Sequence, residues 1–441
     1  MTRVRKPALP LTARVLAARV LAQADEGEVK PRYEAAAAQL ADPRERALLK
    51  ELLYGALRRR LQLDDLLATA SGHKVFRVDP DLAPIMRVAA HQLVFLDRIP
   101  AHAAVDAAVE HAKLAHGAKR AGFVNAVLRN LLRRKSELLA AQAKRPGPTG
   151  IAVRHSMPPW LIERWSAEHG EPRAIALAEA FNRPAGMSLA PLVADAAPPE
   201  GAEPGPLGSV FLAPGAALAG RDALAEGNWY AADLASIAAA RAVASALESA
   251  PAGPVLDGCA APGGKSLLLR ASGCARPIVA LEPEKSRIKT LRENFAKIAP
   301  PPFIVRGDLA RPPARSGAFA AVWADAPCSA AGTLRKSPEK KWSLEPEAPA
   351  MHAARQRELL FASCEAVMPG GLLIYSVCTP LAVETREVIA EFIAERPQFV
   401  PQALTGPAAE LPWEKWGGGW IAMPDKGEWE GFFLAIMKRE G

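Results

Sequence analysis

From about residue 226 onward the chain carries five short apolar runs, PVLDG, PIVALE, PFIVRGD, FAAVWADAP and GGLLIYSVC. Each run is bounded by turn residues and separated from the next by a stretch of helical periodicity. That alternation predicts a parallel β-sheet with helices on both faces, an α/β domain. Ligands of such sheets bind outside the carboxyl ends of the strands. The residues that close each run are therefore where chemistry is expected.

The 441 residues exceed what one core usually organises, so two or three domains are expected. Residues from about 10 to 135 read as all helix. Ala13 to Leu21 repeats apolar residues at helical spacing, and Asp42-Pro43 starts a helix whose buried stripe is Leu48, Leu49, Leu52, Leu53 and Leu57. Basic residues lie between the stripes: Arg44, Arg46, Arg58, Arg59, Arg60, Lys119, Arg120, Arg129, Arg133 and Arg134. Together with a formal net charge of +8 they suit a polyanion, although each alone also fits a solvated helix face. Residues 143–150, AKRPGPTG, read as a linker, and the Pro/Gly-rich stretch 194–208 as a loop. The expected organisation is a helical domain over 1–142, a small α+β connecting domain over 151–225 and the α/β domain over 226–441.

The five cysteines, Cys259, Cys274, Cys328, Cys364 and Cys378, are odd in number and lack CxxC spacing. Neither a disulfide framework nor a metal site is expected. Reduced thiols in the cytoplasm are the simpler reading. The N-terminus lacks the apolar stretch of a signal peptide, and no apolar run is long enough to cross a bilayer.

The strand ends carry the informative residues. The first leads into Asp257-Gly258-Cys259-Ala260-Ala261-Pro262-Gly263-Gly264-Lys265-Ser266, a turn whose glycines let backbone approach a ligand ahead of a helix N-terminus. It has neither phosphate-loop nor GxGxxG spacing. The second run ends in Glu282, where a carboxylate can accept from ribose hydroxyls, and the third in Gly307-Asp308. Taken singly, each acid fits a loop turn or helix cap equally well. The fourth run ends in Asp325-Ala326-Pro327-Cys328 and continues through the basic loop Leu334-Arg335-Lys336-Ser337-Pro338-Glu339-Lys340-Lys341-Trp342. The fifth ends in Tyr375-Ser376-Val377-Cys378-Thr379. Cys274 and Cys364 have no such context and read as small buried hydrophobes.

The runs DGCAAPGGKS, DAPCSAAGTLRKSPEKKW and YSVCT together resemble the RsmB/Sun (NOL1/NOP2/Sun) family of RNA cytosine-C5 methyltransferases. The N-terminal segments ALLKELLYGALRRR, RVAAHQLVFLDRIPAHAAVDAAVE and GFVNAVLRNLLRR resemble a NusB-like RNA-binding domain. The resemblance covers nearly the whole chain and is weakest between about 184 and 228. It implies an all-α NusB-like domain joined to a Rossmann-like domain that binds S-adenosylmethionine. Cofactor contacts would come from Cys259, Ala260, Ala261, Pro262, Gly263, Gly264 and Lys265, with Glu282 at the ribose, Asp308 at the adenine, and Asp325 facing both cofactor and cytosine. Cys378 would be the nucleophile and Cys328 the cysteine that releases product. Arg335, Lys336, Lys340 and Lys341 are placed to hold RNA backbone, with Trp342 stacking on a base or packing. The implied partner is small-subunit ribosomal RNA, methylated by a monomeric enzyme. Glu282 stands where Asp is usual, and Val383-Glu384-Thr385 where the family has Glu-Glu-Asn. Two other readings stay open: a DNA cytosine-C5 methyltransferase with Cys328 as nucleophile, and a non-catalytic RNA-binding ribosome-assembly factor.

Overall fold

The computed structural model describes residues 9–26, 28–73, 80–213 and 217–441. The leader reading of the first residues, the share of the helical reading that falls on 74–79, and residues 214–216 of the expected connecting domain lie outside the described residues. By its contacts the chain forms two units. One runs to Asn182 and includes Ser337–Ser343; the other comprises Arg183–Lys336 and Leu344–Gly441.

The first unit is helical: α1 (Ala13–Ala22), α2 (Val29–Ala37), α3 (Pro43–Arg58), α4 (Arg60–Ala70), α5 (Ala83–Phe95), α6 (Ala101–His116), α7 (Ala118–Ala143), α8 (Gly147–His155), α9 (Pro159–His169) and α10 (Glu171–Asn182). Helix α3 starts where expected. The Asp42 side chain accepts from the Arg44 N–H, and Pro43 sits in the first turn, where its missing N–H costs nothing. Leu49, Leu52, Leu53 and Leu57 are fully buried, and Leu48 packs at the edge of the same core. The 143–150 stretch is mostly helical rather than a linker. Helix α7 continues to Ala143, and α8 begins at Gly147 with Pro148 in its first turn, a position that accepts proline.

The chain returns to this unit at Ser337–Ser343, which includes the short helix α15 (Lys340–Ser343). Lys341 is buried there, and its ammonium donates to the carbonyls of Arg58 and Ser156 and to Asn182 Oδ1 at 3.2, 3.4 and 2.7 Å. Burial, and then the charges of Arg58 and Arg59, hold Lys341 well below its ordinary pKa. Trp342 packs on the helical core and donates to the Leu57 carbonyl at 2.7 Å. Lys341 is thus an internal strut rather than an RNA contact, and Trp342 packs.

In the second unit, a small antiparallel sheet of order β2-β3-β1-β4 is built from β1 (Met187–Pro191), β2 (Glu203–Pro204), β3 (Val210–Leu212) and β4 (Trp229–Ala231), with α11 (Ala217–Glu226) preceding β4. Part of the stretch read as a loop over 194–208 is therefore strand β2. The five apolar runs form β5 (Val255–Asp257), β6 (Ile278–Glu282), β7 (Phe303–Arg306), β8 (Phe319–Asp325) and β9 (Val367–Val377). All pair in parallel, in the order β9-β8-β5-β6-β7. Beyond β9 the sheet turns antiparallel through β13 (Phe432–Arg439), β12 (Gly419–Ala422) and β11 (Glu414–Trp416), and β10 (Phe399–Pro401) also pairs with β13. Helices α12 (Leu234–Leu247), α13 (Gly264–Ala271), α14 (Lys285–Phe295), α16 (Ala348–Cys364) and α17 (Arg386–Glu395) connect the strands. The chain order reverses between β5 and β8, so the crevice outside their carboxyl ends is the binding position of this topology.

Replacing Lys341 with Met removes the donor to the Arg58 and Ser156 carbonyls and to Asn182 Oδ1. The Lys341→Met protein is expected to lose about 1–3 kcal/mol of stability, read as a lower denaturation midpoint of the full chain.

Candidate active site

Strand β5 ends at Asp257, which is buried and accepts from Ser266 Oγ at 2.7 Å. The intervening turn is pinned to both neighbouring strands: Gly258 N–H donates to the Trp323 carbonyl on β8, and Ala260 N–H to Leu281 on β6. Gly263 has φ +106°, and a Cβ there would meet Phe295 at 2.8 Å, so only glycine closes this turn without strain. A Cβ on Gly264 would stand 3.0 Å from the Tyr230 hydroxyl. Between the turn and Tyr230 lies a cleft of about 180 Å³ that also touches Ser236, Lys265 and Asp325.

At the mouth of this cleft Lys265 Nζ lies 3.0 Å from Asp325 Oδ2 at the end of β8. Burial acts against the ammonium, but the Asp325 carboxylate outweighs it and holds Lys265 above its ordinary pKa. Lys265 also stands 5.2 Å from the Phe432 ring centroid and 3.4 Å from Ser236 Oγ. The β8–β9 register sets Asp325 opposite Ser376, whose hydroxyl donates to Asp325 Oδ1 at 2.5 Å while accepting from Trp323 Nε1 at 2.9 Å. The carboxylate is thereby fixed from two sides.

Two residues beyond Ser376 stands Cys378, and its sulfur lies 3.1 Å from that of Cys328. Both cysteines are partly exposed. The hydrogen bond shared with Cys378, followed by burial and the nearby charges of Cys378 and Glu384, pushes the Cys328 thiol well up. Gly332 holds the Cys328 loop in place: its N–H donates to the Cys378 carbonyl at 3.0 Å and its carbonyl accepts from Gly431 N–H at 2.9 Å. A Cβ on Gly332 would fall 1.9 Å from the Gly431 oxygen, so this close approach needs glycine.

The other expected residues sit on the neighbouring strand ends, each with local partners. Glu282 is buried; it accepts from Glu284 N–H at 3.0 Å and pairs with Arg287 at 3.3 Å, and Arg287 in turn donates to the Ala261 carbonyl. Asp308 is half exposed and takes a two-pronged contact from Arg355 at 2.9 and 3.0 Å. Burial works against that carboxylate, but the Ala310 N–H and Arg355 outweigh it and keep Asp308 below the ordinary range. Burial pushes the Cys259 thiol up, so it serves as turn packing rather than as a nucleophile. Lys265, Asp325, Cys328 and Cys378 come together, whereas Glu282 and Asp308 line the same edge farther along. Arg335 is buried against Glu428 and the Trp429 carbonyl and is not presented to a backbone phosphate, whereas Lys336 is exposed and pairs with Asp233 at 2.9 Å. Tyr230, Ser236, Ser376 and Glu384 belong to the site but were not singled out from the sequence. Two of them had a signal: Ser376 in its position two residues before Cys378 on the same strand face, and Glu384 as part of the altered tripeptide after it.

The residues present suit S-adenosylmethionine: a glycine turn that a Cβ would obstruct, a cleft beside it, and acids at the next two strand ends. A family model described as 16S rRNA methyltransferase RsmB/F matches residues 244–438, and a NusB family model matches 11–133. The ribosomal RNA small subunit methyltransferase B of Thermus thermophilus is 34% identical over 97% of this chain and 98% of its own. A putative methyltransferase of Mycobacterium tuberculosis is 34% identical over 80% of each chain. The probable ribosomal RNA small subunit methyltransferase B of Bacillus subtilis is 30% identical over 90% of this chain and 91% of its own. Among solved structures, PH0851 has the same fold, with a TM-score of 0.76 at 20% identity over 99% of this chain and all of its own.

Burial, partly opposed by the Ser266 hydrogen bond, pushes Asp257 up to about 6 from an ordinary 3.8. A carboxyl with a raised folded pKa adds its stability in full below the unfolded value and loses it as pH rises through the folded one. Stability is therefore expected to fall between about pH 4 and pH 6 through this group. The Asp257→Asn variant should lack that component when urea midpoints are compared across the range.

Proposed function

We infer the reaction from one premise: the chain belongs to the RsmB/F family of S-adenosylmethionine-dependent methyltransferases. It methylates C5 of a cytosine in small-subunit ribosomal RNA. The observation that carries this reading is the pair of sulfurs 3.1 Å apart, on loops at adjacent strand ends, beside the Lys265–Asp325 pair.

The glycine turn from Cys259 to Lys265 would hold the methionine end of the cofactor, Glu282 the ribose and Asp308 the adenine. When bound, S-adenosylmethionine supplies an electrophilic methyl group on a positively charged sulfur. Cytosine C5 is a poor nucleophile on its own. The Cys378 thiolate adds to C6 and loads electron density onto C5. Cys328, whose thiol is pushed well up, is the member of the pair that keeps its proton. The Lys265–Asp325 couple, 3.0 Å apart, faces N3 of the ring, where the Lys265 ammonium, oriented by Asp325, supplies the proton that stabilises the negative charge developing there. Once C5 is methylated, Cys328 passes its proton to the Cys378 sulfur as that sulfur leaves C6, and takes up the proton lost from C5; the aromatic ring is restored and both cysteines end as thiols. A cytosine within a paired helix cannot reach these groups, so the target base is flipped out or single-stranded. The NusB-like helical unit contributes RNA affinity through exposed cations on α7, among them Lys119, Arg120 and Arg133.

Removing Cys328 should stall release after attack. The Cys328→Ala protein, expressed in its native host, is expected to carry RNA through Cys378 that survives denaturation, and sequencing that RNA names the cytosine. Trapping by Cys378→Ala instead would exchange the two cysteine roles and favour the DNA-type mechanism. No adduct from either variant, with no methyl transfer by the wild type, would leave an RNA-binding assembly factor.

A further inference from the structure

The two cysteine loops share a third group that the reaction scheme does not use. Glu384 lies in the turn after Cys378 and is fully buried. Its carboxylate accepts four hydrogen bonds: from Ser329 N–H at 2.8 Å, Ser329 Oγ at 2.5 Å, Thr379 Oγ1 at 3.0 Å and Gln356 Nε2 at 3.1 Å. Ser329 directly follows Cys328, and Thr379 directly follows Cys378. One carboxylate therefore grips the residue after each thiol. Ser329 Oγ and Thr379 Oγ1 also lie 3.4 Å apart, which closes the ring of contacts.

The turn that carries Glu384 is itself anchored. Tyr375, buried on β9, donates its hydroxyl to the Glu384 carbonyl at 2.7 Å. Thr385 donates to the Leu381 carbonyl at 2.8 Å and accepts from Trp416 Nε1 at 3.1 Å. From the other side, Gln356 on α16 also donates to the Pro327 carbonyl at 3.0 Å, directly before Cys328. Burying a carboxylate is costly, and the cost is offset here by donors that include both cysteine loops. An apolar residue would fill the same space more cheaply but could not hold two loops in register.

We propose that Glu384 is a positioning residue for the reaction: by clasping the residues that follow Cys328 and Cys378, it sets the separation of the two sulfurs. The proposal rests on the reading of those cysteines as the reacting pair. The same negative charge disfavours ionisation of Cys328 and so helps keep its proton there, which leaves Cys378 as the attacking sulfur.

The test uses the full chain as wild type, Glu384→Gln, and the double variant Ser329→Ala/Thr379→Ala. Two readouts are taken: how limiting iodoacetamide partitions between Cys328 and Cys378 by peptide mass spectrometry, and kcat and KM for methyl transfer to small-subunit ribosomal RNA. In the wild type the label is expected mainly on Cys378. In Glu384→Gln it should spread onto Cys328, and kcat should drop about 10- to 100-fold through misplacement of the sulfurs, with KM little changed. A residue that served only to stabilise the fold would lower the melting temperature without moving the label. If Glu384→Gln does not fold, the double variant, which keeps the carboxylate and removes two of its donors, carries the same expectation. Wild-type partition and wild-type kcat in the folded variants would overturn the clasp while leaving the proposed function intact. A wild type that transfers no methyl group would defeat the functional reading, and the alkylation pattern would still decide the clasp: a shifted pattern supports it and an unshifted one overturns it.

Discussion

The parallel pairing of β8 with β9 is the constraint on which the site depends. It sets Asp325 opposite Ser376 and brings the loops beyond those residues side by side. From this register follow the hydrogen bond that fixes the Asp325 carboxylate, the 3.1 Å contact of the two sulfurs, and the room for Glu384 to reach both loops. A slip of one residue would turn every side chain of the strand to the opposite face and separate the groups. The bulge between Phe319 and Ala321 lies at the far end of β8, away from this register.

Around that pairing stand the ionisable groups of the site. Asp257 is buried at the end of β5, and that burial favours its neutral form. Lys265 and Asp325 come next as a paired couple facing the cleft. Beside them stand the thiols, with Cys328 pushed well up next to Cys378. Lys265 and Asp325, which line the cleft, are therefore already compensated by one another.

The loop after Cys328 shows how a basic sequence can mislead. Arg335, Lys336, Lys341 and Trp342 look like a nucleic-acid grip because they combine cations with an aromatic ring. In the structure Arg335 is buried against Glu428, Lys336 pairs with Asp233, and Lys341 and Trp342 are built into the helical unit through backbone carbonyls. Their partners lie about 90 to 280 residues away in sequence, so no local pattern could announce them.

Local chemistry determined much of this protein. The five apolar runs became the five parallel strands, Asp42-Pro43 opened a helix, and the site residues fell at the carboxyl edge of the sheet, because periodicity, capping and turn composition act over a few residues. The repeated strand–helix alternation was enough to place Asp257, Glu282, Asp308, Asp325 and Cys378 at strand ends. Tertiary structure alone decided which of them meet. Lys265 and Asp325 pair across 60 residues, and Ser329 and Glu384 across 55. Glu384 was legible in the sequence only as part of an altered tripeptide, since its role depends on two loops that converge only when β8 and β9 pair. Contacts between distant segments follow from strand order and register, which the whole sheet sets together and no single segment encodes.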